Sequence, residues 1–395
     1  MLRSLFSGIT GLRAHQTLMD IVSNNIANVN TTGFKTSTAV FEDTLSQTLR
    51  NSNMPSASLG GTNPAQVGLG VKLAGISNNF GQGSAQNTGK ATDLMIQGDG
   101  FFVVKNGSQQ AYSRAGAFNF DTNGNLVNSE GMLVQGWMGD GKGNVNTDTP
   151  LTNIQIPTGV TVAPTPTTVV GISGNIAADA PAVMTLGATA YDASGAAHAL
   201  TITLTPNAGA YDVTVTDAVA GSTDAPSQLT FTNGAYTAGG DTITLADGTA
   251  FTLDLSKITN YGGPKSLSVT KVDGAASGSL QQFQIDQYGS IVGLFSNSQK
   301  LVLGKIAVAN FNNPSGLQKI GSTAFVESSN SGLPQIGSPD TGGRGQLLGS
   351  TLEMSNVDLA QEFTNMIIAQ RGFQANSRVI TTSDQMLQDL VDLKR

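Results

Sequence analysis

Apolar residues recur at alternating steps of three and four along both ends of the chain, and at steps of two through its middle. Near the N-terminus, positions 2, 5, 9, 12, 16, 19, 23 and 26 hold Leu2, Leu5, Ile9, Leu12, Gln16, Met19, Ser23 and Ile26. Six of these eight are apolar, the seam period of a coiled-coil-like helix. Near the C-terminus the same period runs through Leu359, Phe363, Met366, Gln370, Phe373, Ser377, Ile380, Asp384, Leu387 and Val391. The first helix is expected to end in the Asn24–Asn30 run, with Gly33 supplying a turn. The second is expected to be capped by Ser355 or Asn356, with Asp358 and Glu362 suiting its first turn. A helix of about 27 residues spans ~40 Å. Stripes that long and narrow need partners. The other terminal helix is the nearest one, which brings the chain ends together, and further copies of the chain would cover the remaining faces.

Between the helices the period falls to two. Thr201-Ile202-Thr203-Leu204-Thr205, Val213-Thr214-Val215-Thr216, Thr242-Ile243-Thr244-Leu245 and Phe251-Thr252-Leu253-Asp254-Leu255 alternate apolar with polar, and Gly, Asn and Asp turns separate them. That pattern predicts half-buried antiparallel strands. From Gly143 to Ser256 there is no Lys, Arg or Glu, and only nine Asp. An all-β module is therefore expected at 146–272, between the boundary-like segments Thr147-Asp148-Thr149-Pro150 and Tyr261-Gly262-Gly263-Pro264. The segments around it resemble each other. Phe118–Val127 and Phe283–Val292 share F-x-[FI]-D-x-x-G-x-[LI]-V, a strand, a turn and a strand. The expected fold is mainly β with paired α-helical termini. Residues 1–30 and 355–395 form a terminal helical core, and 31–70 and 320–354 connect it to the rest. A discontinuous β domain is built from 71–145 and 273–319, and 146–272 is inserted into it as an outer all-β domain.

Composition narrows the chemistry. The 395 residues contain no Cys and two His, and charged residues make up 12%. Without Cys there are no disulfides, thiolate metal sites or cysteine nucleophiles. A formal net charge of -7 argues against nucleic-acid binding. No apolar run is long enough to span a membrane, and no cleaved export signal is legible. Asp121-Thr122-Asn123-Gly124-Asn125 starts like a calcium loop but has Leu126 at position six and Met132 at position twelve, so it reads as a hairpin turn. Gly139-Asp140-Gly141-Lys142-Gly143 lacks the Lys-Ser/Thr of a phosphate loop. His15 falls off the helical seam, in a packing or solvent role. His198 falls among Ala and Ser, on a loop or strand edge with no acid patterned near it. No nucleophile and base can be paired, so no catalytic, metal or cofactor site is expected. A secreted β-scaffold adhesin or hydrolase fits the composition, but it does not account for two striped termini.

Three motifs carry a resemblance to bacterial flagellar rod and hook proteins. Ser23–Lys35, with Asn24, Asn25, Asn28, Gly33 and Phe34, resembles their N-terminal signature. Gly98-Asp99-Gly100-Phe101-Phe102-Val103-Val104 resembles an internal β motif. Ser355-Asn356-Val357-Asp358-Leu359 and Met366–Ser377 resemble the C-terminal signature. The likeness covers about 1–145 and 273–395. The large insert makes the chain resemble the hook members, with the distal rod as the alternative. The resemblance implies a homopolymer, a short curved tube that transmits torque as a universal joint. It also implies a channel lined by the terminal helices and type III export without a cleaved signal, to an extracellular place in the flagellum. The implied partners are the distal rod, the hook cap, the hook–filament junction proteins and the export apparatus. The assembly residues are then the seam positions Leu2, Leu5, Ile9, Leu12, Met19, Ile26, Leu359, Phe363, Met366, Phe373, Ile380, Leu387 and Val391.

Overall fold

The computed structural model describes residues 2–55, 60–157, 159–179, 182–218, 227–238, 242–244 and 250–392. Helix α1 runs over Leu2–Ala27 and helix α2 over Leu359–Asp392, and the two pack antiparallel. After α1 the chain turns through Gly33 at φ 68°, where its N–H donates to the Glu353 carbonyl at 2.8 Å. An added Cβ there would run into the backbone of Arg114 and Ala115, so a side chain is excluded as well as strained. The N-cap of α2 differs from expectation. Asp358 Oδ1 accepts the N–H groups of Ala360 and Gln361 at 2.9 and 3.2 Å. Ser355 and Asn356 lie before the cap because the chain is still extended there. Asn356 is used instead to hold the two chain ends together.

The first connecting segment is not a plain linker. Strands β1 (Ser37–Asp43) and β4 (Val71–Asn78) pair antiparallel, and β2 (Ser46–Arg50) and β3 (Ala65–Gly68) continue the pairing outward to a bridge between Asn53 and Thr62. The result is a long two-stranded ribbon, on which Leu45, Leu49, Met54 and Ile76 are exposed.

The flanks of the insert interleave in one 14-stranded sheet. Strand Phe101–Asn106 pairs with Gln109–Ser113 and with Leu133–Met138. The latter pairs across the insert with Lys300–Ile306, placing Gly136 against Ile306. One face of this body buries Leu94, Ile96, Phe102, Phe118, Ile291 and Ile306. Another buries an aromatic cluster around Phe101, Tyr112, Trp137, Phe311 and Phe325. Among the described residues a nine-stranded sheet pairs within itself between Val169 and Val272, with its own core. In Ala197–Asn207, Ile202 and Leu204 point inward while Thr201 faces water, the period-two pattern of the sequence. Leu245 of the Thr242–Leu245 run lies outside the described residues. The self-paired sheet starts later than the expected 146. Thr152–Asn153 and Thr161–Val162 pair with flank strands, and the apolar Ile154 and Ile156 are buried in the flank core.

The shared flank motif is a carboxylate-clamped turn. Asp121 Oδ1 accepts the N–H groups of Asn123 and Asn125 at 2.9 and 2.7 Å, and Asp286 Oδ1 accepts those of Tyr288 and Ser290 at 3.0 and 2.7 Å. The same D/N-x-x-G-x clamp recurs at Asn128, Asp140 and Asp192. Both Asp121 oxygens are engaged, the second by the Asn125 amide at 2.8 Å, so this loop uses its carboxylate to shape the hairpin.

Candidate assembly interface

The two helices meet along a line of small and polar residues. Gly8 faces Ile380, Gly11 faces the Asn376 amide and the His15 ring covers Gly372. Gly8, Gly11, Val22 and Asn25 are the buried positions of α1, and Glu362, Ala369 and Ser383 those of α2. This contact line runs one residue to the side of the expected seams. Leu5, Ile9, Leu12, Met19 and Ile26 of α1 are only half-buried, as are Met366, Phe373, Ile380 and Leu387 of α2. Leu359, Phe363 and Val391 are exposed at 40, 51 and 66%. The Leu2 side chain lies outside the described set. The shift has a physical reason: glycine, alanine and serine let two helix backbones approach closely, and a large side chain such as Ile380 enters the contact where a glycine, Gly8, faces it. The apolar positions therefore flank the contact. Phe363 and Ile367 lie on one side of α2, and Ile368, Val379 and Met386 on the other, all exposed. His15 belongs to the contact line rather than lying off it, because glycine opposite leaves room for its ring.

At the base of the pair, the N- and C-terminal segments are pinned to the β body. Asn25 Oδ1 accepts the Ser37 N–H at 3.1 Å, and its Nδ2 donates to the Ser37 carbonyl at 2.9 Å and to Glu362 Oε1 at 3.2 Å. Asn356 Oδ1 accepts the Thr36 N–H at 2.9 Å, while its Nδ2 donates to the carbonyls of Asn79 and Gly81. Below these lies a fully buried ionic cluster. Lys35 Nζ sits 2.6 Å from Glu353 Oε1 and donates to the Gly81 carbonyl at 2.8 Å. The same Glu353 oxygen accepts the Gly83 N–H at 3.0 Å, and Arg114 Nη1 lies 3.6 Å from the other oxygen. The Arg114 guanidinium also covers the Phe101 ring. Burial pulls the Lys35 and Arg114 pKa values down, with Glu353 opposing the shift. One carboxylate thus ties together the segment after α1, the end of the ribbon, the β body and the strand leading to α2. Sequence reading missed Arg114 and Glu353. Nothing in their local pattern signals a partner hundreds of residues away.

Three family descriptions match the chain. "Flagella basal body rod protein" covers residues 5–35, "Flagellar hook protein FlgE/F/G D1 domain" covers 95–178, and "Flagellar basal body rod FlgEFG protein C-terminal" covers 349–393. The flagellar hook protein FlgE of Borreliella burgdorferi is 39% identical, over all of both chains. The chain belongs to the flagellar hook and rod family. Within that family, the basal-body rod protein FlgG of Bacillus subtilis is 33% identical, also over all of both chains. The crystal structure of Helicobacter pylori flagellar hook protein FlgE2 shares the fold, with a TM-score of 0.53 at 16% identity. It covers 68% of this chain and 100% of its own. The family is structural.

The family motifs sit at the junctions. Asn28 Nδ2 donates to the Asn24 carbonyl and side chain, and Thr31 Oγ1 donates to Asn28 Oδ1, which closes the end of α1. Phe34 is buried beneath Lys319. Gly98 and Gly100 take φ of 104 and 133°, and a Cβ on Gly100 would lie 2.6 Å from Val308, so they set Phe101 into its strand. Val357 is half-buried just before the Asp358 cap.

Of the two histidines, His198 differs from expectation. It is buried on a strand, with Nδ1 2.8 Å from Asp217 and Nε2 3.9 Å from Asp192. The acids come from the neighbouring strand and the preceding turn, which local sequence spacing does not reveal.

Glu362 offers a pH test of the helix pair. Its carboxyl is buried and Oε2 has no hydrogen-bond partner. Burial pushes its pKa above the usual 4.5. A raised carboxyl favours the folded state below that ordinary value, and the gain is lost as pH rises through the folded value. Glu362→Gln should therefore melt at a higher temperature than the parent at about pH 7, with the gap closing below pH 4.5. Helical circular dichroism across pH checks this, and equal melts at neutral pH would refute it.

Proposed function

We propose that the chain is a structural subunit of the flagellar hook, polymerising into a curved, flexible tube that joins the rod to the filament and passes torque between them. The observation that carries this reading is the helix pair. Its inner face is small and polar, while large apolar side chains on both outer sides of α2 are left in water. A helix apolar on several sides is built to be buried, and copies of the same chain supply the burial in a polymer. The terminal helices form the inner wall around an export channel, with the β layers outside. The subunit leaves the cell through the flagellar export apparatus without a cleaved signal. Its neighbours at the ends of the tube are the distal rod, the hook cap and the junction proteins.

The second reading is the distal rod. The full-length likeness to a rod protein favours it, and the self-paired sheet at Val169–Val272 favours the hook. Electron microscopy of polymer from the purified full chain separates the two. Curved, bendable tubes are expected. Straight rigid rods would transfer the chain to the second reading, and failure to polymerise under any assembly condition would end both.

A further inference from the structure

His198 takes no part in the helix pair or its flanks. From Gly143 to Ser256 the chain has nine Asp and no Lys, Arg or Glu, so His198 is the only residue of that stretch able to carry a positive charge. It sits on Ala197–Asn207, on the face that also buries Leu200, Ile202 and Leu204, and it is 8% exposed. Two carboxylates bracket its ring. Nδ1 is 2.8 Å from Asp217 Oδ2, at the end of Ala210–Asp217, and Nε2 is 3.9 Å from Asp192 Oδ2, in the turn after Met184–Tyr191.

The surrounding elements supply further titratable groups, each of them set elsewhere. Met184–Tyr191 places Ala190 opposite His198 and carries one, Tyr191, whose N–H donates to Thr167 Oγ1 at 2.8 Å. Tyr211 and Asp212 lie at the far end of their strand, opposite Pro206 and Thr205. Strand Ser268–Val272 runs beside Met184–Tyr191 and carries Lys271, which is exposed. Asp273 after it accepts the N–H groups of Thr168 and Val169, both at 2.9 Å.

Burial and charge act on the His198 ring in opposite directions. Desolvation disfavours an imidazolium, whereas an opposite charge within ~4–6 Å favours it by roughly tenfold or more. Two such charges are present. A neutral ring would also remove the charge set against the Asp217 carboxylate, which is 2% exposed, and a broken buried ion pair is the costlier state. The carboxylates therefore outweigh burial.

We propose that His198 is an imidazolium clasp that locks one end of the outer β module at neutral pH and releases it as alkaline pH removes the proton. The ring ties two strands and a turn together where the module meets the flank body. There the Thr167 N–H donates to the Tyr191 carbonyl at 2.9 Å, and Gly195 of the clasped turn packs against Pro164. The sign follows from linkage. A proton held more tightly in the folded chain than by a free imidazole, near pH ~6.5, gives stability that is complete below that value and lost as pH rises through the folded one. The clasp stands whether the polymer is hook or rod.

The chain has two histidines, which makes the test direct. In NMR of the unassembled full chain labelled with 15N-histidine, the ring missing from His198→Gln is His198. It should titrate above about pH 7.5. Asp192→Asn, which keeps the Asp217 contact, should lower that midpoint. Amide hydrogen exchange, corrected for its intrinsic pH dependence, reads the release. Between about pH 6 and pH 9, residues 188–204 should lose protection at least tenfold relative to Leu133–Met138 in the flank body. In His198→Gln they should be equally weakly protected at both. The clasp is overturned if His198 titrates at or below about pH 6.5, or if the variant loses as much protection with pH as the parent. Should His198→Gln fail to fold, Asp192→Asn decides alone: a midpoint that does not move overturns the clasp as well.

Discussion

Glu353→Ala should destabilise the folded chain by about 3–5 kcal/mol, the range for removing one partner of a buried ion pair. The residue is 1% exposed, its two cationic neighbours are 1 and 2% exposed, and none of the three can reach water without opening the β body. With the carboxylate gone, Lys35 keeps the Gly81 carbonyl, the Gly83 N–H loses its acceptor, and Arg114 keeps the Phe101 ring. Two positive charges are then buried without the carboxylate they share, and only the Asp99 charge still acts on Arg114. Urea unfolding followed by Trp137 fluorescence measures this well. Trp137 is the only tryptophan, 4% exposed in the aromatic core, and its Nε1–H donates to the Thr149 carbonyl. Glu353→Gln should fall between parent and alanine variant, since an amide oxygen can still accept from Lys35 and Gly83. Replacing the cluster together (Lys35→Met, Arg114→Met, Glu353→Leu) should cost far less than Glu353→Ala, because apolar triads often match buried ionic ones. A loss below about 1 kcal/mol for Glu353→Ala would show that water reaches the cluster.

That cluster also marks where sequence reasoning stopped. The two helices were legible from their period, and so were the alternating strands of the insert, because each has one face in a core. The phase of the helical contact was not legible. A search for apolar seams selects the faces with the largest side chains, here Leu5, Ile9 and Leu12, whereas the contact between α1 and α2 uses Gly8 and Gly11 opposite Asn376. The outer part of the ribbon gave no signal because neither of its faces sits over a core, so Ser46–Arg50 has no burial period to display. The clamped turn was visible only where flanking apolar residues repeated with it; at Asp140 and Asp192 the same hydrogen bonds form within unrelated sequence. Long-range polar partners such as Lys35–Glu353 and His198–Asp217 leave no local pattern at all.

Charging one outer flank of α2 should abolish polymerisation while sparing the monomer. Phe363 and Ile367 are 51 and 52% exposed, one helical turn apart, and make no part of the contact line with α1. Complete burial of such side chains is worth about 1.5–3 kcal/mol each, so covering their remaining exposed halves yields about 2 kcal/mol for the pair. Aspartates in their place forfeit that gain and add at least ~1 kcal/mol for desolvating carboxylates. Together this is roughly a hundredfold rise in critical concentration, at 1.4 kcal/mol per decade. The monomer should change by no more than about 0.5 kcal/mol, as exposed substitutions do. The opposite dissociation is expected two positions on from Ile367. Ala369 is fully buried in the helix pair, and Ala369→Leu should overpack it by about 1–3 kcal/mol in the monomer itself. Sedimentation of polymer, set beside thermal melts of the unassembled chain, reads both. If Phe363→Asp with Ile367→Asp melts early yet still polymerises, the outer flank is needed within the chain, and the division of labour between the two faces of α2 is wrong. If the melt is unchanged and polymer disappears, the inner line holds the chain ends together and the outer apolar flanks hold the subunits.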